Sequence, residues 1–543
     1  MATTLEQSKL RAPAAPKPVA AGLNPYRWII LMAVLTGAFL ELLDTTSVNV
    51  ALRQMAGNFG ATTDEIGWVA TGYILSNVIV LPLTAWLSSV FGRRGYLTAS
   101  ILLFTLASFL CGASHTLGQL IFWRIIQGAG GAALLSTAQA ALREVFPADQ
   151  QGMIQSFYIV VIVLGPTVGP AFGGWITDNY SWQWIFWSKA PLGLVAAFLV
   201  WRFLSDSPHK AQTGGVDWAG IGLLTVGLGS LQYVLEEGQR YDWFDDIWIV
   251  RLTITAFVSL IAFVVWELWA TNKQPVVNLR VLKHRALTAG CVLLFIGGAG
   301  IYAGSFLMPL FVQSILGFSP TEAGLLFLPA GVVTIFGTLL AGRLLNGANP
   351  LVKPPVLIAL GLIGFSFSQW LLGHLSPQSG TPDIEVGLML RGAGMGFLFT
   401  PITVASLSSL KGAEIPQGAG LTNLFRQLGG SFGIAIINAY VTSQTAGHRA
   451  DLVGFIFSGN PALLDRVAAT SHYLVTKGMS ITSAHNSALG IIENTVQRQA
   501  STMAYDDAFL LLAAAFAFAL PALLLFRQAK AQGAAAAPID AGH

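Results

Sequence analysis

Two carboxylates, Glu41 and Asp44, sit inside the apolar run WIILMAVLTGAFLELLDTTSVNVAL at residues 28–52. The run is long enough to cross a bilayer, and a carboxylate there costs roughly 2.5–3.5 kcal/mol on insertion scales. Three residues apart on a helix, the two acids share nearly one face. Two readings stand: a structural ion pair between helices, or a site that takes up protons or cations during transport. A base bears on the choice. At 1.5 Å per residue, Glu41 and Asp44 lie ~20 and ~24 Å from the start of their span, in the outer half of a ~30 Å core. Arg124, in a run that crosses the other way, falls ~10 Å below the same boundary. A pair between Arg124 and one acid would reduce the cost of burying both and set the acid's affinity for protons. A cationic substrate competing for that carboxylate would give obligatory exchange. Arg391 falls at a matching depth later in the chain. Lys189 is a further buried base, a candidate anion contact or second partner for the acids.

The elements that must hold these residues are membrane helices. Of 543 residues only 10% are charged and 54% are hydrophobic. A soluble domain cannot cover itself with so few charges, which makes this an all-α polytopic membrane protein. A net charge of +3 gives no case for nucleic acid. Cys111 and Cys291 lie in separate apolar runs and read as packing residues, not a disulfide or a metal site. No zinc-protease, dithiol, phosphate-loop or nucleophile-elbow pattern occurs, so neither an enzyme nor a cofactor or metal is expected, and any energy source is an ion gradient or a partner.

Apolar runs of about 20 residues fall near 28–52, 65–89, 95–114, 117–142, 150–177, 182–204, 217–236, 247–270, 286–315, 321–346, 354–374, 384–410, 416–444 and 507–526. With the N-terminus inside, 18 of the 29 Lys and Arg residues fall at inner loops and span ends, 7 at outer ones and 4 deeper within spans. That asymmetry predicts cytoplasmic N- and C-termini. The first 26 residues read as a disordered tail, with no signal peptide.

The chain repeats. RIIQGAGGA at Arg124 matches RGAGMGF at Arg391, and AWLSSVFGRR after the second run matches AGRLLNGAN after the tenth. Each match joins the same ordinal helix of two six-helix halves, a parallel repeat typical of one large class of secondary transporters. The expected layout is a tail 1–26, a first half 27–205, a linker 206–284 carrying two inserted helices, a second half 285–527, and a tail 528–543. Within the second half, 446–506 is a long outer segment, either a solvated loop or a docking surface, whose last part could run straight into the final span.

Three further groups have candidate roles. Gly165, Pro166, Gly169, Pro170, Gly173 and Gly174 crowd the outer half of the fifth span. The prolines bend the helix and the glycines make a flat packing face, which suits a mouth that seals and opens. Gly92, Arg93 and Arg94 form a tight inner turn, either positive-inside anchors or a cytoplasmic gate latched to the other half. Phe39, Tyr73, Tyr302, Phe306 and Phe425, with Lys189 and Arg391, are candidates to line a substrate cavity.

Taken together, these stretches resemble the major facilitator superfamily, specifically the 14-helix drug:proton antiporters of the EmrB/QacA type, over about residues 28–527. LDTTSVNVAL at 43–52 resembles that group's first-helix signature, and RIIQGAGGA at 124–132 the superfamily motif whose arginine is held to take part in proton transfer. LGPTVGPAFGG at 164–174 is similar to the antiporter motif, WQWIFWSKAPLG at 182–193 to the start of the sixth helix, and LLTVGLGSLQYVLEEGQRYDWF at 223–244 to the inserted pair. Ala85 and Ser89 stand where the family's loop motif carries a glycine and an aspartate, and Asn346 where an aspartate often sits. The outer segment and QRQASTMAYDDAFLLL at 497–512 are more like the EmrB branch. The resemblance implies two six-helix halves plus two inserted helices, a Gram-negative inner membrane, a periplasmic membrane-fusion (adaptor) protein and an outer-membrane channel. It implies proton-coupled export of hydrophobic or amphipathic drugs. The alternative is a dedicated exporter of a fatty acid, siderophore or other amphipathic metabolite; a non-transporting sensor of the same fold is the reading from a different class.

Overall fold

A computed structural model describes residues 25–206, 217–269, 275–346, 351–412, 414–457 and 460–523. The expected tails lie outside these ranges, save residues 25 and 26. So do Lys9, Arg11, Lys17, Lys210, Lys273, Arg527 and Lys530, which entered the charge count above. Among the described residues there is no strand. That follows from the composition: long apolar runs in lipid must satisfy every backbone N–H and C=O internally, and a helix does so within one segment.

The first half is built from α1 (Arg27–Phe59), α2 (Thr63–Val80), α3 (Thr84–Phe91), α4 (Arg93–Gly112), α5 (Leu117–Val145), α6 (Gln151–Asn179), α7 (Gln183–Trp187) and α8 (Lys189–Phe203). The inserted pair is α9 (Trp218–Glu237) and α10 (Ile247–Leu268). The second half comprises α11 (Arg285–Ser314), α12 (Pro320–Leu325), α13 (Phe327–Leu345), α14 (Pro354–Leu372), α15 (Thr381–Ser408), α16 (Glu414–Val453), α17 (Pro461–Thr476) and α18 (Ile481–Phe518). A 3-10 turn at Leu81–Leu83 carries Pro82 and joins α2 to α3 as one span.

Twelve spans among the described residues are long and apolar enough to cross a membrane. Of the fourteen runs read from the sequence, α5 and α16 fall short of that apolarity, for a structural reason. Both lie inside the bundle and pack on each other, and their buried polar residues (Gln127, Gln139, Thr422, Asn423) face protein, not lipid.

The pairing of helices repeats. α1 packs on α6 as α11 packs on α16; α4 on α5 as α14 on α15; α2 on α5 as α13 on α15; α4 on α8 as α14 on α18. This is a fold of two six-helix halves plus two inserted central helices. The halves meet along two seams, α6 against α13 and α16 against α2 and α5. Among the described residues, only the second seam is covered by the insertion. There α9 packs on both α2 and α16, with Gln232 Nε2 donating to Ser431 Oγ at 3.0 Å and Thr71 Oγ1 to Glu237 Oε1 at 3.5 Å.

The outer segment 446–506 differs from a simple loop. α16 continues to Val453, α17 packs on α18, and α18 runs unbroken from Ile481 into the last span. At 1.5 Å per residue the 38-residue α18 is about 57 Å long, far more than a ~30 Å core needs. Its first turns therefore project beyond the bilayer, tied to α16 by Arg449–Glu493 at 2.7 Å and His448–Asp507 at 2.8 Å. Arg27, Arg93, Arg94, Arg143, Arg202, Arg285, Arg343, Lys353 and Lys411 gather at the opposite, basic end of the bundle.

Candidate functional site

Asp44 lies at the centre of the first half, fully buried, and is held by two cations. Arg124 Nη1 bonds one carboxylate oxygen and Lys189 Nζ the other. Arg124 is 1% exposed and Lys189 2%. Three helices supply the three groups: α1 the acid, α5 the arginine and α8 the lysine. The lysine reaches the acid because α7 and α8 break at Ser188, which places Lys189 at the first position of α8. Arg124 is fixed by three further contacts. Nε donates to the Val69 carbonyl at 2.9 Å, Nη1 to Gln127 Oε1 at 2.9 Å, and the guanidinium lies 4.4 Å from the centre of the Tyr73 ring. Two cations on one buried anion leave a surplus positive charge.

Glu41 faces a second cluster, one helical turn away. Its Oε1 accepts from Asn77 Nδ2 at 3.2 Å, and Oε2 is buried with no hydrogen-bond partner. Asn77 Oδ1 in turn accepts from Gln427 Nε2 of α16 at 3.1 Å, which links Glu41 to the second half. Beside Gln427, Arg426 donates to Tyr302 Oη at 3.2 Å and to Asn423 Oδ1 at 3.4 Å. Asn423 Oδ1 also accepts from the Tyr158 hydroxyl at 3.0 Å, and Asn423 Nδ2 donates to Gln139 Oε1 at 2.8 Å. Asn77, Gln127, Gln139, Asn423, Arg426 and Gln427 were not singled out from the sequence. Their signal was there: amides and a base inside otherwise apolar runs, which membrane helices keep only where a partner exists.

The glycine- and proline-rich stretch of α6 has two faces. Gly165, Gly169 and Gly173 lie against Leu42, Thr46 and Ser47 of α1, the turns that flank Asp44. A Cβ on Gly173 would sit 3.0 Å from Ser47 Cα, and Thr46 Oγ1 lies 3.3 Å from the Gly165 carbonyl. Pro166, Pro170 and Gly174, each one position on and ~100° around the helix, line a cavity of about 690 Å³. The cavity separates α6 from α11, α12, α13 and α15 and extends from mid-span to the end away from the basic residues. Arg391 lines it, 5% exposed.

At the basic end the same seam is shut. Gly152 of α6 packs on the Gly342 backbone of α13, and Ser156 Oγ donates to the Thr338 carbonyl at 2.9 Å. Asn346 lies against the start of α6, its Oδ1 3.4 Å from the Met153 amide.

The structure corrects two expectations. Arg93 and Arg94 do not latch the other half. Arg93 pairs with Glu144 at the end of α5, the Arg94 amide donates to Asp206 Oδ1 at 3.0 Å where the linker begins, and the Arg94 guanidinium lies 5.5 Å from the centre of the Trp201 ring of α8; none of these contacts is to the second half. Gly92 makes that turn at φ 79°, where a side chain would be strained and would meet the Asp206 carboxylate. At the basic end of the α6–α13 seam the contacts across the halves come instead from small residues, which approach more closely than long arginines permit. Second, of the residues expected to line a cavity, Arg391 alone lines this one. Lys189 is consumed by Asp44 and Tyr73 lies under Arg124. Tyr302 bonds Arg426, and Phe306 and Phe425 pack against apolar clusters and do not line it. Phe39 is half-buried on α1.

Residues 34–434 match the Major Facilitator Superfamily. The chain belongs to that superfamily and is a multi-pass membrane transporter, not an enzyme. Within it, the chain is similar to EmrB-type proteins over most of its length. It is 31% identical over 490 residues to the fatty acid resistance protein FarB of Neisseria gonorrhoeae, covering 89% of this chain and 92% of that one. It is 32% identical over 435 residues to the multidrug export protein EmrB of Haemophilus influenzae, covering 80% and 84%. Among solved structures, the human organic anion transporter MFSD10 superposes with a TM-score of 0.56 at 14% identity, covering 91% of this chain and all of that one. The proton:xylose symporter XylE superposes with a TM-score of 0.53 at 16% identity, covering 90% and 94%. These last two similarities speak to the fold alone.

Proposed function

We propose that this protein is a proton-coupled exporter of hydrophobic or amphipathic compounds across the bacterial inner membrane. The observation that carries the reading is Asp44, buried between Arg124 and Lys189 and flanked by the glycine face of α6. Protonation of Asp44 would cancel the anion that holds two cations, loosening α5 and α8 from α1. Because α6 rests on α1 at Leu42, Thr46 and Ser47, a shift of α1 would reach the cavity on the other face of α6. Proton loading and cavity access would then be two consequences of one helix movement. Glu41, with one carboxylate oxygen unpartnered, is the second candidate proton carrier, and its link through Asn77 to Gln427 ties it to the opposite half. The basic end is taken as cytoplasmic by the positive-inside pattern, so the cavity would face the periplasm in this state. The division at 27–205, 206–284 and 285–527 is part of the same reading.

The similarity to proteins named for multidrug export and for fatty acid resistance supports amphipathic cargo. The helical projection formed by α16, α17 and α18 is the surface on which a periplasmic adaptor, leading to an outer-membrane channel, would dock. The second reading, a dedicated exporter of a fatty acid, siderophore or other amphipathic metabolite, is favoured by one observation: a buried arginine without an ion-pair partner in the cavity.

Purified protein in liposomes with an interior pH dye tests the coupling. Addition of amphipathic cations or anions across an imposed pH gradient should move protons with wild type and not with Asp44→Asn. Substrate-dependent proton movement that survives both Asp44→Asn and Glu41→Gln would reject proton antiport through these acids.

A further inference from the structure

Among the described residues, six charged side chains are buried at mid-span in the two halves, and five of them are accounted for. Asp44 balances Arg124 and Lys189, and Glu41 is within electrostatic reach of Arg426. Arg391 has no counterpart among the described residues: it makes no ion pair with them, Nη1 is buried without a hydrogen-bond partner, and its guanidinium rests 5.5 Å from the centre of the Phe327 ring. A buried, unpaired guanidinium is expensive unless something completes it.

We propose that Arg391 is the recognition residue for the acidic head of an amphipathic monoanion whose apolar body occupies the cavity between α6 and α13. The proposal rests on the export reading and names its cargo class. The cavity's 690 Å³ is within the range of small-molecule sites, which are mostly apolar with a few placed polar groups. Its inner part fits that description. Pro166 and Pro170 offer no N–H, and the hydroxyls of Thr167 and Thr334 are spent on their own helices, donating to Val163 and Ala330 carbonyls at 2.8 Å. The acidic group in the wall, Asp178, lies one residue from the outer end of α6. Arg391 lies ten residues into α15 from that same end, about 15 Å deeper. Among the described residues, an anion passing the mouth therefore meets its only fixed countercharge in the wall in the inner half of the cavity, with Ile162 and Met395 lining it deeper still. Across the two halves, the mid-span charges comprise two acids against four bases, a field that favours anions over cations. The geometry also sets the route. The seam at α2 and α16 is covered by α9, while the seam at α6 and α13 is bordered by lipid-exposed Trp175, Leu325 and Leu328. An amphiphile can enter there tail-last from the outer leaflet, with its head drawn to Arg391.

The test is equilibrium binding to the full-length protein in phosphatidylcholine nanodiscs, without a pH gradient, using laurate, dodecanol and dodecyltrimethylammonium as probes. Wild type should bind laurate about tenfold or more tighter than dodecanol, the range of a charge-assisted pair. Arg391→Gln should bring laurate to the dodecanol level, and Arg391→Lys should keep part of the preference. Dodecanol affinity should be unchanged in all three, which shows that the cavity is intact. Equal binding of laurate and dodecanol by wild type, tighter binding of the cation, or a laurate preference that survives Arg391→Gln would overturn the proposal. So would displacement of laurate by phosphatidylglycerol added to the nanodisc, which would assign the arginine to a lipid headgroup. Because no gradient is applied, these failures leave proton-coupled export standing. Loss of coupling in liposomes with laurate binding intact would reject export and leave the anion site.

Discussion

Lys189 and Asp44 are 145 residues apart in the chain and share a hydrogen bond in the bundle interior, on the carboxylate oxygen that Arg124 leaves open. The arrangement is asymmetric: one anion serves two cations. Removal of the anion should therefore cost far more than removal of one cation. Asp44→Asn leaves two buried cations unpaired, a loss of about 3–5 kcal/mol. Lys189→Met should cost less, since Asp44 keeps Arg124. The double variant Asp44→Asn/Lys189→Met should be more stable than Asp44→Asn alone, because it removes one of the stranded charges. Thermal unfolding of the four proteins in detergent closes the cycle. Additive losses would refute the pairing.

Glu41 presents the opposite balance. One carboxylate oxygen has an amide partner and the other has none. Glu41→Gln should change the unfolding temperature little while reducing substrate-driven proton flux several-fold. A large loss of stability with unchanged flux would mark Glu41 as structural.

The two faces of α6 make a residue-by-residue prediction. Gly169 abuts the Thr46 side chain, whereas a Cβ at Gly174 meets nothing nearer than Val50 Cγ1 at 3.8 Å. Gly169→Val should push α6 off α1 and cost about 1–3 kcal/mol, typical of an overpacked contact, with loss of transport. Gly174→Ala should be tolerated. Equal tolerance of both in a transport assay would show that the α1–α6 contact is not tight during turnover.

Closure at the basic end is testable with a covalent bridge. A Cβ at Gly342 would lie 2.9 Å from Ser156 Cβ, closer than the ~3.8 Å of a disulfide by an amount a small helix shift supplies. Ser156→Cys/Gly342→Cys should cross-link under mild oxidant, block transport, and recover on reduction. Each single variant provides the control, as Cys111 and Cys291 are buried. Free turnover of the oxidised, cross-linked protein would show that this seam does not open.

Several features could be read from residue order alone. Apolar length gave the spans, and the repeat of RIIQGAGGA and RGAGMGF gave the two halves. The rise of 1.5 Å per residue placed Glu41, Asp44 and Arg124 at one depth. These are one-dimensional quantities, set by composition and by a helix geometry that lipid makes nearly obligatory. Which base meets which acid is not one-dimensional. It depends on the rotation of each helix about its axis and on how closely neighbours approach. Only the folded bundle turned Lys189 onto Asp44 and away from the cavity, left Arg391 alone on the cavity wall, and set the glycines of α6 against α1 with the prolines facing the other way. The Arg93–Glu144 pair and the small-residue closure of α6 on α13 were decided in the same way, by packing between segments far apart in the chain.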